Sequence, residues 1–341
     1  MQLNPRWIRA GELAVSSMPS QKDIEYIYTT FKTVVILTEN QELGYNPKEI
    51  EERGVNVIKF PIPDFDAPTL LKLHLLVEEI SSCRKPVLIH CSGGLGRSPT
   101  VAAAYIMLNK SLSADDVLNR LRKINRRFVE TNQQERVLKL YDRLLRFLPR
   151  DSLNKILSIA KEYKYNGEGD LEHISNVLEL SIELCMQLSE LKIASLSDEV
   201  ETSLYAAAIL HDIGRTAGFN HKKESYRLIL SRAQEINSAL GKDLADKIAV
   251  IARYHGKKEV EADNEIKLAI AILRIADGLD RARYYGRIKK VVLELKEGKI
   301  NIEVHGTNCE AGINKAEEKS SLLREITGMD IKFVNRCKNE L

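Results

Sequence analysis

Residues 87–108, VLIHCSGGLGRSPTVAAAYIML, lead from an apolar strand pattern through a glycine-rich turn into a helix of small residues beginning near Arg97. That order puts Cys91 between a strand and a helix N-terminus. Gly93, Gly94 and Gly96 free the main chain of residues 92–97 to adopt dihedrals that turn successive N–H groups inward, where they can bind a phosphate. The same field of amide dipoles stabilises a thiolate at Cys91. Arg97, six residues on, can fold back as a planar fork onto two oxygens of a phosphoryl group whose charge shifts during transfer. A free cysteine is most often only a small buried hydrophobe, but here three glycines and an arginine accompany it.

The run His90-Cys91-Ser92-Gly93-Gly94-Leu95-Gly96-Arg97-Ser98 matches the pattern His-Cys-x5-Arg-Ser/Thr, and on these residues the chain resembles the protein tyrosine and dual-specificity phosphatases. The likeness extends outward. KFPIPDFDAPT places Asp64 27 residues before Cys91, where small dual-specificity phosphatases carry their general acid, and VETNQQE resembles the segment after their catalytic helices. The resemblance implies a nucleophilic Cys91, phosphate held by Ser92, Gly93, Gly94, Leu95, Gly96 and Arg97, and proton donation by Asp64. It also implies that Ser98 assists departure of the Cys91 thiolate, that His90 orients and tunes it, and that Gln134 positions the hydrolytic water. Such a phosphatase needs no metal or other cofactor. Two alternatives stay open: a mobile loop can present Asp66 instead of Asp64, and a glutamine near a helix start can be a simple cap.

At 341 residues the chain is long enough for two domains, and its character changes near Pro149, the last of its nine prolines. Before that point TVVILT, VNVIKF and PVLIH alternate with helical patterns at 20–30, 69–82, 97–110 and 113–125, which predicts an α/β sheet, at least partly parallel. After it, LEHISNVLELSIELCMQL, ETSLYAAAILHDIG, LADKIAVIARYH and IKLAIAILRIADGLD carry the 3.6-residue apolar spacing of helices. VVLELKEGKINIEVH has two alternating runs about Gly298 and predicts a late hairpin. The expected architecture is an α/β cysteine-phosphatase domain over 1–148, followed over 149–341 by an all-α domain with a small C-terminal β-hairpin.

Of the seven histidines, His173, His211, His221 and His255 lie in the helical half; Asp212 follows His211 directly, and Asp277 sits in RIADGLD. Two imidazoles and two carboxylates can hold a divalent cation while leaving positions for water and phosphate. This pattern resembles the HD-domain metal-dependent phosphohydrolases. HDIG, HKKESYRLIL, IARYHGK and AILRIADGLDRAR resemble, more narrowly, the C-terminal HD domain of the exopolyphosphatase and guanosine pentaphosphatase family across roughly residues 150–335. The implied ligands are His173, His211, Asp212 and Asp277, with His221 and His255 secondary, for a divalent ion of the Mn, Mg, Fe or Co class. In that family an actin-like ATPase-fold half performs the phosphoanhydride chemistry, so polyphosphatase activity is not carried over. The HD half is expected either to hydrolyse a second phosphoester or to bind a nucleotide or polyphosphate as a regulatory module. His74 and His305 are expected to have no function.

Lys and Arg number 51 against 48 Asp and Glu, so a net charge of +3 gives no reason to expect nucleic acid or a membrane surface as partner. A phosphorylated protein or small phosphoester is the expected one. No apolar run approaches the roughly 18 residues of a membrane span, and the expected location is the cytoplasm. Five cysteines, odd in number and without metal-type spacing, predict free thiols in a reducing compartment.

Overall fold

Short runs of valine, isoleucine and leucine build the sheet of the first half, and helices apolar on every side build the core of the second. The computed structural model describes residues 3–163, 168–256 and 259–338, and the chain divides into two units, Met1–Asp142 and Arg143–Leu341. The division falls inside a helix that ends one residue before Leu148.

The first unit contains β1 (Arg6–Arg9), β2 (Leu13–Ser16), α1 (Ile24–Thr30), β3 (Thr33–Ile36), α2 (Pro47–Glu51), β4 (Asn56–Lys59), α3 (Leu70–Ser82), β5 (Val87–His90), α4 (Arg97–Lys110), α5 (Ala114–Ile124) and most of α6 (Asn132–Phe147). The strand order is β1-β2-β5-β3-β4, antiparallel only between β1 and β2. Strands β2, β3 and β5 are buried along their whole length, as strands covered on both faces must be. Their register sets Ser16, His90 and Ile36 side by side, so the loops that follow share one edge of the sheet. Because β5 is inserted between β2 and β3, that edge is a topological switch point, where open α/β sheets bind ligands. Helix α4 is buried from Arg97 to Leu108 and packs on β2 and β5 and against α3 and α5. Its small residues Ala102, Ala103 and Ala104 permit that depth, and Pro99 is tolerated because first-turn N–H groups have no intrahelical partner. The β1–β2 hairpin was not legible: four-residue strands such as RWIR carry too little alternation.

The second unit contains α7 (Arg150–Glu162), α8 (Glu168–Glu190), α9 (Asp198–Leu210), α10 (His221–Ser231), α11 (Ala233–Leu240), α12 (Ala245–Arg253) and α13 (Asn264–Leu279). Helix α9 is buried from Val200 to Leu210 and α13 over most of Ile266 to Leu279, which makes them the central helices. Helices α8 and α12 pack against both, and α10 packs on α12. The expected hairpin is present as β6 (Arg287–Lys296) and β7 (Lys299–Thr307), but it belongs to a three-stranded sheet. Helices α14 (Glu310–Lys319) and α15 (Ser321–Thr327) lead to β8 (Ile331–Asn335), which pairs parallel to β7.

One expectation is overturned. Cys309 and Cys337 form a disulfide across 28 positions. Strand β8, running beside β7, returns the chain end to the start of α14; such parallel pairing leaves no local mark in the sequence. Cys83, Cys91 and Cys185 are free thiols. Among the described residues no helix is long and apolar enough to cross a membrane.

Candidate functional site

The loop between β5 and α4 places Cys91 where the apolar strand ends, 2% exposed, and the Gly94 N–H donates to its Sγ at 3.2 Å. Neighbouring backbone fixes the loop: Met18 N–H donates to Ser92 O at 2.9 Å, Val129 N–H to Leu95 O at 2.9 Å, and Thr100 N–H to Gly96 O at 3.1 Å. Gly94 has a φ of +70°, and a Cβ there would meet Ser17 N at 2.5 Å. Only glycine satisfies both conditions. A Cβ at Gly96 would lie 2.8 Å from both Gln134 Nε2 and Glu130 Oε2, so these two side chains close against the loop.

Arg97 is buried, and its fork is already engaged. Nη1 and Nη2 donate to the two oxygens of Glu42 at 2.8 Å each, and Nη1 also donates to Ile62 O at 2.9 Å. Asp64 Oδ1 lies 3.0 Å from Nη2. Burial alone would lower the Arg97 pKa, but Glu42, Cys91 and Asp64 outweigh it, and the net shift is upward. The same Arg97 contact holds Glu42 below the ordinary carboxylate value. Asp64 itself is mostly exposed, on a loop whose Phe65 has a φ of 61°. The other loop carboxylate, Asp66, accepts the Ala67 N–H at 2.9 Å.

His90 Nε2 lies 2.9 Å from the Tyr45 hydroxyl, and burial pushes its pKa down to about 4 despite the Cys91 backbone. It is therefore neutral at pH 7. Ser98 Oγ is fully buried without a hydrogen-bond partner. Gln134 is buried too: its Oε1 accepts the Glu130 and Thr131 N–H groups at 3.0 and 3.2 Å, and its Nε2 donates to Asp66 O at 3.3 Å.

In the second unit the ends of five helices converge: His173 lies in α8, His211 and Asp212 follow α9, His221 opens α10, His255 follows α12, and Asp277 lies in α13. The donor atoms fall into two groups, His173 with His211 and Asp277, and Asp212 with His221 and His255, each within 4.8 Å of one another. Asp212 faces both. Its Oδ2 lies 3.4 and 3.8 Å from Nε2 of His173 and His211, and its Oδ1 lies 3.8 Å from Nε2 of both His221 and His255. Every one of the four imidazoles is oriented from behind through Nδ1–H. His211 donates to Ala208 O at 2.9 Å, His221 to Gly218 O at 3.0 Å, His255 to Ala252 O at 2.7 Å, and His173 to Asp280 Oδ2 at 2.7 Å.

Residues 3–138 match the family profile of the DSP-PTPase phosphatase domain of Swiss Army Knife proteins, and residues 170–282 match that of the HD domain. The chain joins a DSP-PTPase phosphatase domain to an HD domain. The phosphatase domain is similar to cyclin-dependent kinase inhibitor 3 of Mus musculus, 32% identical over 114 residues, and of Rattus norvegicus, 34% identical over 115. Each match covers 32% of this chain and 54% of the other protein, so the chain spans about half the length of these curated relatives. A solved structure of Tk-PTP in the active form is 39% identical over 41% of this chain and 96% of that one, with a TM-score of 0.39.

Cysteine phosphatases need no cofactor, whereas HD domains are generally metal-dependent, and the HD residues here fit a metal. Nε2 of His173 and of His211 is buried without a hydrogen-bond partner, the arrangement left when Nδ1–H is committed elsewhere and Nε2 is kept for an ion. Burial lowers His173, yet Asp212 and Asp280 outweigh it and hold its pKa at about 9; a divalent ion would displace that proton. Sequence reasoning missed Glu42 and Glu130 in the phosphatase domain and Asp280 in the HD domain. Asp280 lies three residues past Asp277 in the same motif and Glu130 within the VETNQQE segment, signals within reach; Glu42 arrives from a distant turn and carries none.

Proposed function

We propose that the phosphatase domain hydrolyses phosphomonoesters through a cysteinyl-phosphate, and that Cys91, Arg97 and Asp64 carry the reaction. The Gly94 N–H on Cys91 Sγ is the observation that carries this reading. The thiolate forms a bond to phosphorus while the P–O bond to the leaving group breaks, and the Asp64 carboxyl gives its proton to the departing oxygen. Water then attacks phosphorus with Asp64 as base, and the Cys91 thiolate leaves as phosphate is released. Asp64 and a phosphate oxygen compete for the same Arg97 Nη2, so binding of phosphate frees Asp64 for its acid role. Ser98 Oγ, lacking a partner, can donate to the departing thiolate. His90 stays neutral and orients the Cys91 main chain. The Gln134 amide faces the loop from beside Gly96, where it can hold the hydrolytic water.

The HD domain, in the same proposal, is a second phosphohydrolase. His173, His211, Asp212 and Asp277 would hold one divalent ion and Asp212, His221 and His255 a second, with Asp212 shared. A divalent ion held there would supply polarisation of a phosphoryl oxygen and activation of water; the chain's part is to fix the donors through Asp280 and the carbonyls that accept the Nδ1–H groups. The narrower kinship of residues 150–335 with exopolyphosphatase-type HD domains is proposed on its motifs alone. A second reading, a metal-containing regulatory module that binds nucleotide or polyphosphate without turnover, is favoured by Lys319, whose ammonium is paired with Asp277 Oδ2.

A panel of phosphorylated proteins and small phosphoesters, run with wild type, Cys91→Ser and His211→Ala, each with and without EDTA, tests both halves. Vanadate-sensitive turnover that survives Cys91→Ser sinks the first assignment; absence of any EDTA-sensitive turnover lost in His211→Ala favours the regulatory reading. The proposal keeps the protein in the cytoplasm, and thiol titration of protein quenched directly in cells shows whether the Cys309–Cys337 bridge forms there.

A further inference from the structure

Residues 119–127, NRLRKINRR, carry five basic side chains and no acidic one, in a chain whose charges nearly balance. The fold brings this run beside the catalytic loop. Arg120, Arg122 and Lys123 lie toward the C-terminal end of α5, where cations suit the helix dipole; Arg126 and Arg127 lie past that end. Phe128 N–H donates to Asn125 O and Arg127 N–H to Asn125 Oδ1, both at 3.0 Å, which closes a turn with the two arginines at its centre. The buried Phe128 ring and the Val129 N–H bond to Leu95 O at 2.9 Å pin this turn to the phosphatase loop. One carboxylate stands between them: Glu130 Oε1 is 3.7 Å from Arg127 Nη2, and Glu130 Oε2 is 2.8 Å from where a Gly96 Cβ would be. Arg122 is tied to Glu135. Among the described residues Arg120, Lys123 and Arg126 are exposed and their side chains have no ion pair or hydrogen bond. Arg127 is 73% exposed, with that one long contact to Glu130. Ile124, 40% exposed, lies among them.

We propose that Arg120, Lys123, Arg126 and Arg127 form a docking track for an acidic peptide segment, which brings a neighbouring phosphorylated residue of the same protein to Cys91. The inference rests on the reading of the first domain as a phosphatase and adds the kind of substrate. Residues 120–127 span on the order of 15 Å, the reach of four or five residues of extended chain. The mouth of the site also carries exposed carboxylates, Asp64 and Glu130. A membrane surface or a nucleic-acid strand, negative along its whole length, meets those carboxylates as well as the track; a peptide places its acids over the track alone. Ile124 gives one apolar side chain of the peptide a contact that neither phosphate backbone nor headgroup can use.

The test is the kcat/KM of the full chain for phosphotyrosine peptides of equal length whose flanking residues are all Glu, all Ala or all Lys. Each value is taken relative to that for p-nitrophenyl phosphate, which has no flanking residues. The Glu peptide should exceed the Lys peptide by about tenfold or more, through KM and not kcat. Raising NaCl from about 0.05 M to about 0.5 M should remove most of that difference. Lys123→Glu/Arg126→Glu should reverse the order of the two peptides, and Arg126→Ala, the milder variant, should narrow the gap. Equal values for the Glu and Lys peptides in wild type at low salt overturn the proposal, as does an order that both variants leave intact, or turnover of p-nitrophenyl phosphate with none of any peptide. If p-nitrophenyl phosphate and the peptides are all left intact, the phosphatase reading falls and fluorescence anisotropy with the same peptides reads the track alone. Tighter binding of the Glu peptide, lost in the double variant, then supports the track, and equal binding overturns it. Phosphoinositide vesicles and a 5′-phosphorylated RNA complete the panel: phosphate release from either that exceeds release from the Glu peptide and falls in the double variant overturns the peptide assignment.

Discussion

Arg97 is a cation 2% exposed, and Glu42 neutralises it through two parallel hydrogen bonds. Glu42→Ala should destabilise the phosphatase domain by about 2 kcal/mol, below the range for a fully buried pair because Glu42 is one-fifth exposed. It should also lower kcat/KM for p-nitrophenyl phosphate by about 100-fold through a misplaced fork. Since the folded-state pKa of Glu42 is depressed, the pair stabilises fully above the ordinary value of 4.5 and its contribution disappears as pH falls through the lowered one. Urea denaturation at pH 7 and pH 4 should show a smaller loss in Glu42→Gln than in wild type; equal losses would refute this linkage. In the HD domain, Asp280 accepts from His173, Asn176 and Arg283. Asp280→Asn should weaken Mn²⁺ binding by about 10–100-fold in calorimetry without removing a ligand.

At the scale of elements, the loop between β5 and α4 tolerates no side chain at its third residue after Cys91. Gly94→Ala combines a positive φ with a 2.5 Å clash against Ser17, and turnover should fall by about 100-fold or more with unfolding of the domain shifted by about 1–3 kcal/mol. Unaltered activity would mean that the loop relaxes elsewhere. The β7–α14–α15–β8 segment is closed by Cys309–Cys337, and Cys309→Ser should reduce the stability of the HD unit by about 2–4 kcal/mol in denaturant. The strand–loop–helix that presents Cys91 was readable because its parts are contiguous: apolar run, glycines, arginine and alanines follow one another in space as in sequence. The approach of Lys315 and Lys319 to the HD cavity was not, because it depends on the packing of α14 on α13 at Gly278 and Gly312. The disulfide was misread for the same reason: parity and spacing say nothing about a parallel strand that returns residue 337 to residue 309.

The whole molecule combines a DSP-PTPase phosphatase domain with a histidine and carboxylate cluster suited to a divalent ion, and the two should answer to different reagents. Mn²⁺ at about 100 times its dissociation constant should raise the stability of the HD unit by about 2.7 kcal/mol, EDTA should reverse this, and p-nitrophenyl phosphate turnover should not follow either change. A turnover that tracks the metal would show the two activities to be coupled. The order of chemical groups along the chain was enough to point to the two domains, since a thiol at a glycine-rich helix entrance and the spaced H…HD…D residues are each local in sequence or bound to a helix period. Which oxygen of Asp212 faces which imidazoles, which carboxylate holds Arg97, and which lysines crowd the HD cavity were decided by tertiary structure alone. Those relations depend on distances between segments tens to hundreds of residues apart, and burial sets their strength only once the core has closed around them.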